Sequence, residues 1–151
     1  MVAYTTRPFL ASNSYAPTVR ATPATSSATL AAVDSDNANT GPFLVPSSGS
    51  VIVTATFLAQ VATSGDRMAF SLGLHGSVAG IVNPITFANN NTILAQVVRW
   101  KVTGLTAGTT QTIDLLFSSL DAVSVTLYIL GEVTNTPDTL GGPLVMTVEA
   151  A

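Results

Sequence analysis

Ser50-Val51-Ile52-Val53-Thr54-Ala55-Thr56-Phe57-Leu58-Ala59-Gln60-Val61 alternates without a break. Val51, Val53, Ala55, Phe57, Ala59 and Val61 fall on one side, and the more mixed Ile52, Thr54, Thr56, Leu58 and Gln60 on the other. A two-residue period sends successive side chains to opposite faces, so the stretch reads as a β-strand with one face in a core. Pro46-Ser47-Ser48-Gly49 announces a turn before it, and Ser64-Gly65-Asp66 reads as a hairpin loop after it. Met68, Phe70, Leu72 and Leu74 then alternate with Ala69, Ser71, Gly73 and His75, which makes a second half-buried strand.

The same pattern continues outward in both directions. Thr29 to Val33 is a candidate strand, followed by the polar turn Asp34 to Gly41 and a short segment at Pro42 to Val45. Downstream, a short strand is expected near Ile81 to Val82 or Ile85 to Phe87. From Ile93 to Val102, Leu94, Val98, Trp100 and Val102 share a face opposite Arg99 and Lys101. After the turn Gly104 to Gly108, Ile113, Leu115 and Phe117 point inward, then Val123, Val125, Leu127 and Ile129, and a last strand runs from Leu144 to Glu149. Roughly eight short strands separated by turn residues, with no helical period of useful length, predict an all-β antiparallel sandwich or jelly roll.

Met1 to Ser27 differs in texture. It is rich in Thr, Ser, Ala and Pro, with Pro8, Pro17 and Pro23 spaced along it, and it reads as an extended N-terminal arm attached to a domain of residues 28–151. Such an arm is commonly a floppy terminus, yet Tyr4, Phe9, Leu10, Tyr15 and Val19 make this one apolar enough to dock on a neighbour. The opening residues lack a charged n-region followed by an apolar run, so they do not read as a secretory signal. A chain of 151 residues fits one domain with a substantial core.

Charge is the outstanding property of the composition. Only 9% of the residues are Asp, Glu, Lys or Arg, against about a quarter in ordinary soluble domains, while 47% are apolar. Asn37 to Gly65 and Met68 to Val98 contain no such residue at all. Apolar runs are broken long before the 18 or so residues of a spanning helix, so no membrane partner is expected and the hydropathy belongs to strands. Surface that is neither charged nor lipid-covered points to an obligate assembly. A net charge of −3 with five scattered basic residues argues against nucleic acid. There are no cysteines, so packing alone holds the fold.

Chemistry has few footholds. His75 is the one histidine and sits at a strand end between Gly73 and Gly76, where a base is conceivable but a loop histidine without catalytic role is the commoner reading. Ser47-Ser48-Gly49-Ser50 has the composition of a plain turn and no nucleophile elbow occurs. Asp34-Ser35-Asp36-Asn37-Ala38-Asn39 spaces its oxygens somewhat like a calcium loop, yet Ala38 takes a ligand position and no later bidentate Glu follows, so an Asx-rich turn is favoured. Asp66-Arg67 reads as solvated turn charge. Asn90-Asn91-Thr92 matches a glycosylation sequon that lacks a secretory context. No cofactor, metal or catalytic residue is expected. Arg99, Trp100 and Lys101 read either as a contact patch or as a core tryptophan flanked by outward charges.

The run Val45-Pro46-Ser47-Ser48-Gly49-Ser50-Val51-Ile52-Val53-Thr54, preceded by Ala31-Ala32-Val33-Asp34 and followed by Val102-Thr103-Gly104-Leu105-Thr106-Ala107-Gly108-Thr109-Thr110, resembles small jelly-roll proteins encoded among the virion genes of tailed bacteriophages. These have strands in the manner of tumour-necrosis-factor-like trimers. The likeness runs from Thr29 to the C-terminus on turn and strand signatures, and the arm lies outside it. It implies a non-enzymatic capsid decoration protein that trimerises on the head surface of the virion, with the major capsid protein as its partner. The alternative it implies is a receptor- or glycan-binding tip of a fibre. Contact residues expected on this basis are Tyr4, Arg7, Phe9, Tyr15 and Arg20 in the arm and Arg99, Trp100 and Lys101 in the body.

Overall fold

The structure is a computed structural model, and it describes residues 7–15, 24–34, 36–63, 65–88, 92–129 and 143–151. These form β1 (Phe9–Tyr15), β2 (Ala24–Thr25), β3 (Ala31–Ala32), β4 (Phe43–Leu44), β5 (Val51–Val61), β6 (Arg67–Leu74), β7 (Ile85–Ala88), β8 (Leu94–Val102), β9 (Thr110–Gln111), β10 (Ile113–Ser119), β11 (Val125–Tyr128) and β12 (Leu144–Ala150).

Eight of the strands carry the architecture. β1 pairs with β12, β3 with β10, β5 with β8 and β6 with β7, all antiparallel. First pairs with last at each level, so the chain is one long hairpin doubled back between β6 and β7 and then rolled up. Rolling it sets β1, β12, β5 and β8 side by side in one sheet and β3, β10, β6 and β7 in the other. That is the strand order of a jelly roll, as the alternating text predicts. β11 and β2 add to the first sheet, and β4 and β9 make a separate two-stranded ribbon.

β5 is the strand on which the first sheet is assembled. One of its edges pairs with β8 from Val51 to Ala59, while the other takes β12 from Val51 to Thr56 and β11 from Leu58 to Val61. Its alternating face is buried throughout, together with Val98, Trp100 and Val102 of β8 and Leu144, Met146 and Val148 of β12. Met68, Phe70 and Leu72 of β6 and Ile113, Leu115 and Phe117 of β10 meet them from the second sheet. Phe57 and Phe70 join the layers with ring centroids 4.6 Å apart and tilted by 53°, and Phe87 continues the contact at 6.0 Å from Phe70. Tilted pairs of this kind add about 0.5–1.5 kcal/mol beyond area burial.

The second sheet departs from the half-buried expectation. β10 is buried on both faces, and so is most of β6. The cover is local: the chain after β6 turns back over it. Ile81 donates its amide to the Leu72 carbonyl at 2.7 Å, Ser71 Oγ donates to the Val82 carbonyl at 3.0 Å, and Gly73 bridges to Gly80. Gly73 allows this close approach, because a Cβ there would lie 2.7 Å from the Ser77 carbonyl oxygen and 2.9 Å from Leu116 Cδ1.

The N-terminal stretch also differs from the arm expected. Phe9–Tyr15 is no appendage: it is the edge strand of the first sheet, with Ala11 opposite Val148 and Tyr15 opposite Leu144. Ala24–Thr25 likewise pairs with β11. The two-residue signal is weak there because the inward positions Ala11 and Asn13 are small or polar, and a bulge between Phe9 and Ala11 breaks the phase. The sandwich therefore begins well before residue 28, and Tyr4 and Arg20 lie outside the described residues.

A Cβ on Gly73 must displace backbone rather than a flexible side-chain tip. Gly73→Ala is expected to lower stability by about 1–3 kcal/mol, the usual cost of overpacking, in denaturant unfolding. An unchanged midpoint would mean that the covering segment is not seated on β6.

Candidate functional site

The outward face of the first sheet is where the predicted body contacts converge. Register places Lys101, Ile52 and Glu149 in one row across β8, β5 and β12, then Arg99, Thr54 and Thr147, then Val97, Thr56 and Val145. Side chains in a row are cross-strand neighbours on one face. Arg99 Nη2 reaches across β5 to Glu149 Oε2 at 3.0 Å, so the one acid in these rows is already bound to a base. The remaining positions are Thr, Val and Ile, with Lys101 at the margin. Val97 is 68% exposed.

Of the contact residues expected from sequence, Arg7, Phe9, Arg99 and Lys101 are exposed and Tyr15 is half-buried. Trp100 is not on the surface. Alternation turns it inward opposite Val53, only 5% of it remains accessible, and its indole Nε1 meets no hydrogen-bond acceptor among the described residues. The core reading of Arg99-Trp100-Lys101 therefore holds: two outward cations flank a buried ring. Sequence reasoning passed over Val97. Its signal lay in the outward series Ala95, Val97, Arg99, Lys101, where a β-branched apolar residue sits among charges with no core to face.

A shallow groove of about 380 Å³ lies at the far end of β8, lined by Gly80, Ile81, Val82, Asn83, Lys101 and Thr103. It separates the segment that covers β6 from the end of β8.

The remaining polar groups tie turns together. Asp34 accepts the amides of Asp36 and Asn37 at 3.1 and 3.2 Å and the Asn37 side chain at 3.1 Å, the Asx turn expected of this segment. Asn39, buried beside it, accepts the Gly41 amide at 2.8 Å and the Asn13 side chain at 3.3 Å, which fastens the turn to β1. Tyr15 lies close to the Asp34 carboxylate. Burial first, then the charge and hydrogen bonding of Asp34, push its hydroxyl above the usual value. Arg67 does not pair with Asp66. It grips Asp121 with Nη2 at 2.7 Å and Nε at 3.1 Å, while its amide donates to the same carboxylate at 2.7 Å. Those bonds hold Asp121 below its ordinary range.

His75 has a partner that the sequence did not announce. Its Nδ1 donates to Oδ1 of Asp114 at 2.9 Å, and Asp114, 1% exposed on β10, accepts the Gly76 amide with Oδ2 at 3.0 Å. The bond to Asp114 raises the imidazole above its usual value, the carboxylate's charge adds to that, and Asp36 contributes in the same direction. The hydrogen bonds of this pair join β10 to the end of β6. The bonds His75 and Gly76 make to one carboxylate tie these two segments together.

Fold and surface together define a jelly-roll sandwich whose outward sheet face is almost without net charge. No family model matches the chain, and no curated protein does. Among solved structures it is similar to the VP2 subviral particle of infectious bursal disease virus, with a TM-score of 0.40 and 12% identity over 93% of this chain. The chain spans 37% of that protein's length.

The His75 tether carries a sign that can be measured. Because the folded imidazole titrates above its unfolded value of 6.5, its contribution is complete below pH 6.5 and is lost as pH rises through the folded value. His75→Gln is expected to lower the thermal midpoint in mildly acid solution, with the two proteins converging on the alkaline side. A deficit that is constant with pH would contradict the charged pair.

Proposed function

We propose that this chain is a non-catalytic structural component of a virus particle, a jelly roll that assembles with copies of itself and caps a capsid surface. The observation that carries the reading is Val97, standing 68% exposed on the outward face of the first sheet among rows of Thr, Val and Ile, with Arg99 paired to Glu149 and Lys101 at the margin. Exposed apolar residues on a sheet face mark a contact surface more than a solvated one. Low charge throughout the chain supports the same reading.

The finer form of the proposal is a decoration protein of a tailed-bacteriophage head, arranged as a closed trimer against the major capsid protein. What supports it is the resemblance of the Val45 to Thr54 and Val102 to Thr110 stretches. In a trimer each contact is heterologous and closes on itself, which hides the sheet face. Many copies, each with modest burial, then stabilise a shell through multivalency. The fibre-tip alternative loses support, since Trp100, the aromatic best placed to stack on a glycan, is in the core.

The test is co-sedimentation with the particle's own emptied shells. Saturable binding is expected, changing less than about threefold between low salt and about 0.5 M, because rows whose acid is already paired and which leave one unpaired cation among the described residues, Lys101, at the margin have little to screen. Release of the protein by salt, or failure to sediment with the shells, would overturn the reading. N-terminal truncations in that experiment must stop before Phe9, since removing β1 strips an edge from the sheet.

A further inference from the structure

We propose that the free edge of β8 docks a second copy of this chain, the two β8 strands pairing antiparallel about a two-fold axis at Val97. Among the described residues β8 pairs with β5 alone. In an antiparallel pair every second residue directs its amide and carbonyl away from its partner, so a nine-residue edge strand offers roughly four such residues to a newcomer.

β8 is the edge least protected against pairing. β1 carries a bulge between Phe9 and Ala11, β7 is four residues long, and β2 and β3 are two residues each. Short strands and bulges are the usual ways a sheet edge is blunted. β8 runs for nine residues in unbroken register with β5 and contains no proline or glycine. Its one defence is its pair of cations, and those occupy only one end. Gln96, Val97 and Val98 are uncharged, and Leu94 and Val97 are exposed.

The charge pattern admits a second copy in one orientation only. Pairing two β8 strands antiparallel about Val97 sets Arg99 opposite the other chain's Ala95 and Lys101 opposite its Ile93, so no cation faces a cation. Parallel pairing in register would set Arg99 against Arg99 and Lys101 against Lys101, which is destabilising. At the centre, Val97 meets its own counterpart on the outward face, a β-branched cross-strand pair of the favourable kind. The contact is isologous, as a two-fold requires. It goes beyond the function proposed above, because it needs no capsid. Where trimers form, it joins them across two-fold axes.

The chain has no cysteine, so a single introduced thiol is a clean reporter. Val97→Cys, treated with a mild oxidant or a short thiol-to-thiol crosslinker, is expected to give covalent dimer in high yield. Val78→Cys, 58% exposed in the segment covering β6, serves as the control and is expected to stay single. Val97→Lys places like charges across the axis and is expected to weaken the pairing at least about tenfold in sedimentation equilibrium. Unchanged emission from the buried Trp100 shows that this variant remains folded. Equal crosslinking of the two cysteine variants, failure of the thiol introduced at position 97 to link to its own counterpart, or an unaltered mass distribution for Val97→Lys would each overturn the proposal. None of these results bears on whether the protein sediments with shells.

Discussion

The constraint on which the structure depends is that β5 must be satisfied on three sides at once. Its inner face is sealed by the second sheet, one edge is occupied by β8, and the other is shared end to end by β12 and β11. A one-residue slip in any of these pairings would turn Val51, Val53, Ala55, Phe57, Ala59 and Val61 outward and bring Thr54 and Thr56 into the core. The alternation of a single strand therefore fixes how β8, β12 and β11 are set against it.

Once β5 is placed, the few charges have defined tasks. Arg67 holds the loop at Asp121, His75 holds the end of β6 to Asp114, and Arg99 crosses β5 to reach Glu149. Each of these pairs joins segments far apart in the chain. Charges committed to such ties solvate the surface less than free ones would, and the outward rows between them are left to Thr and Val. The fold and the deficit of charge are thus connected: the sandwich needs no ionic surface to close, and what it leaves uncovered is suited to contact with protein.

Where residues alternate strongly, the fold was legible. Val51 to Val61, Met68 to Leu74, Leu94 to Val102 and Leu144 to Glu149 lie in strands with the inward residues as read, Leu94 at a strand start excepted, because large apolar side chains on a two-residue period have only one buried arrangement. β1 was hidden because its inward positions include Ala11 and Asn13 and its phase is broken by a bulge. The double burial of β10 was hidden because its cover comes from the loop after β6, and nothing local to Asp114, Leu116 and Ser118 records it. For the same reason Asp114 was not recognised as the partner of His75. Trp100 was readable in two ways from its cationic neighbours, and only its pairing with Val53 decides for the core. The candidate surface was less legible than the fold, since a free strand edge is a property of sheet order and no residue type marks it.

Native mass across a dilution series tests the central claim most directly, that the outward sheet face and the open edge are surfaces made for other copies of this chain. The account predicts a discrete oligomer, a whole-number multiple of the 15.4 kDa chain, that persists on dilution to low micromolar protein and in high salt. A stable species of 15.4 kDa at every concentration, folded and soluble with its sheet face exposed, would contradict it.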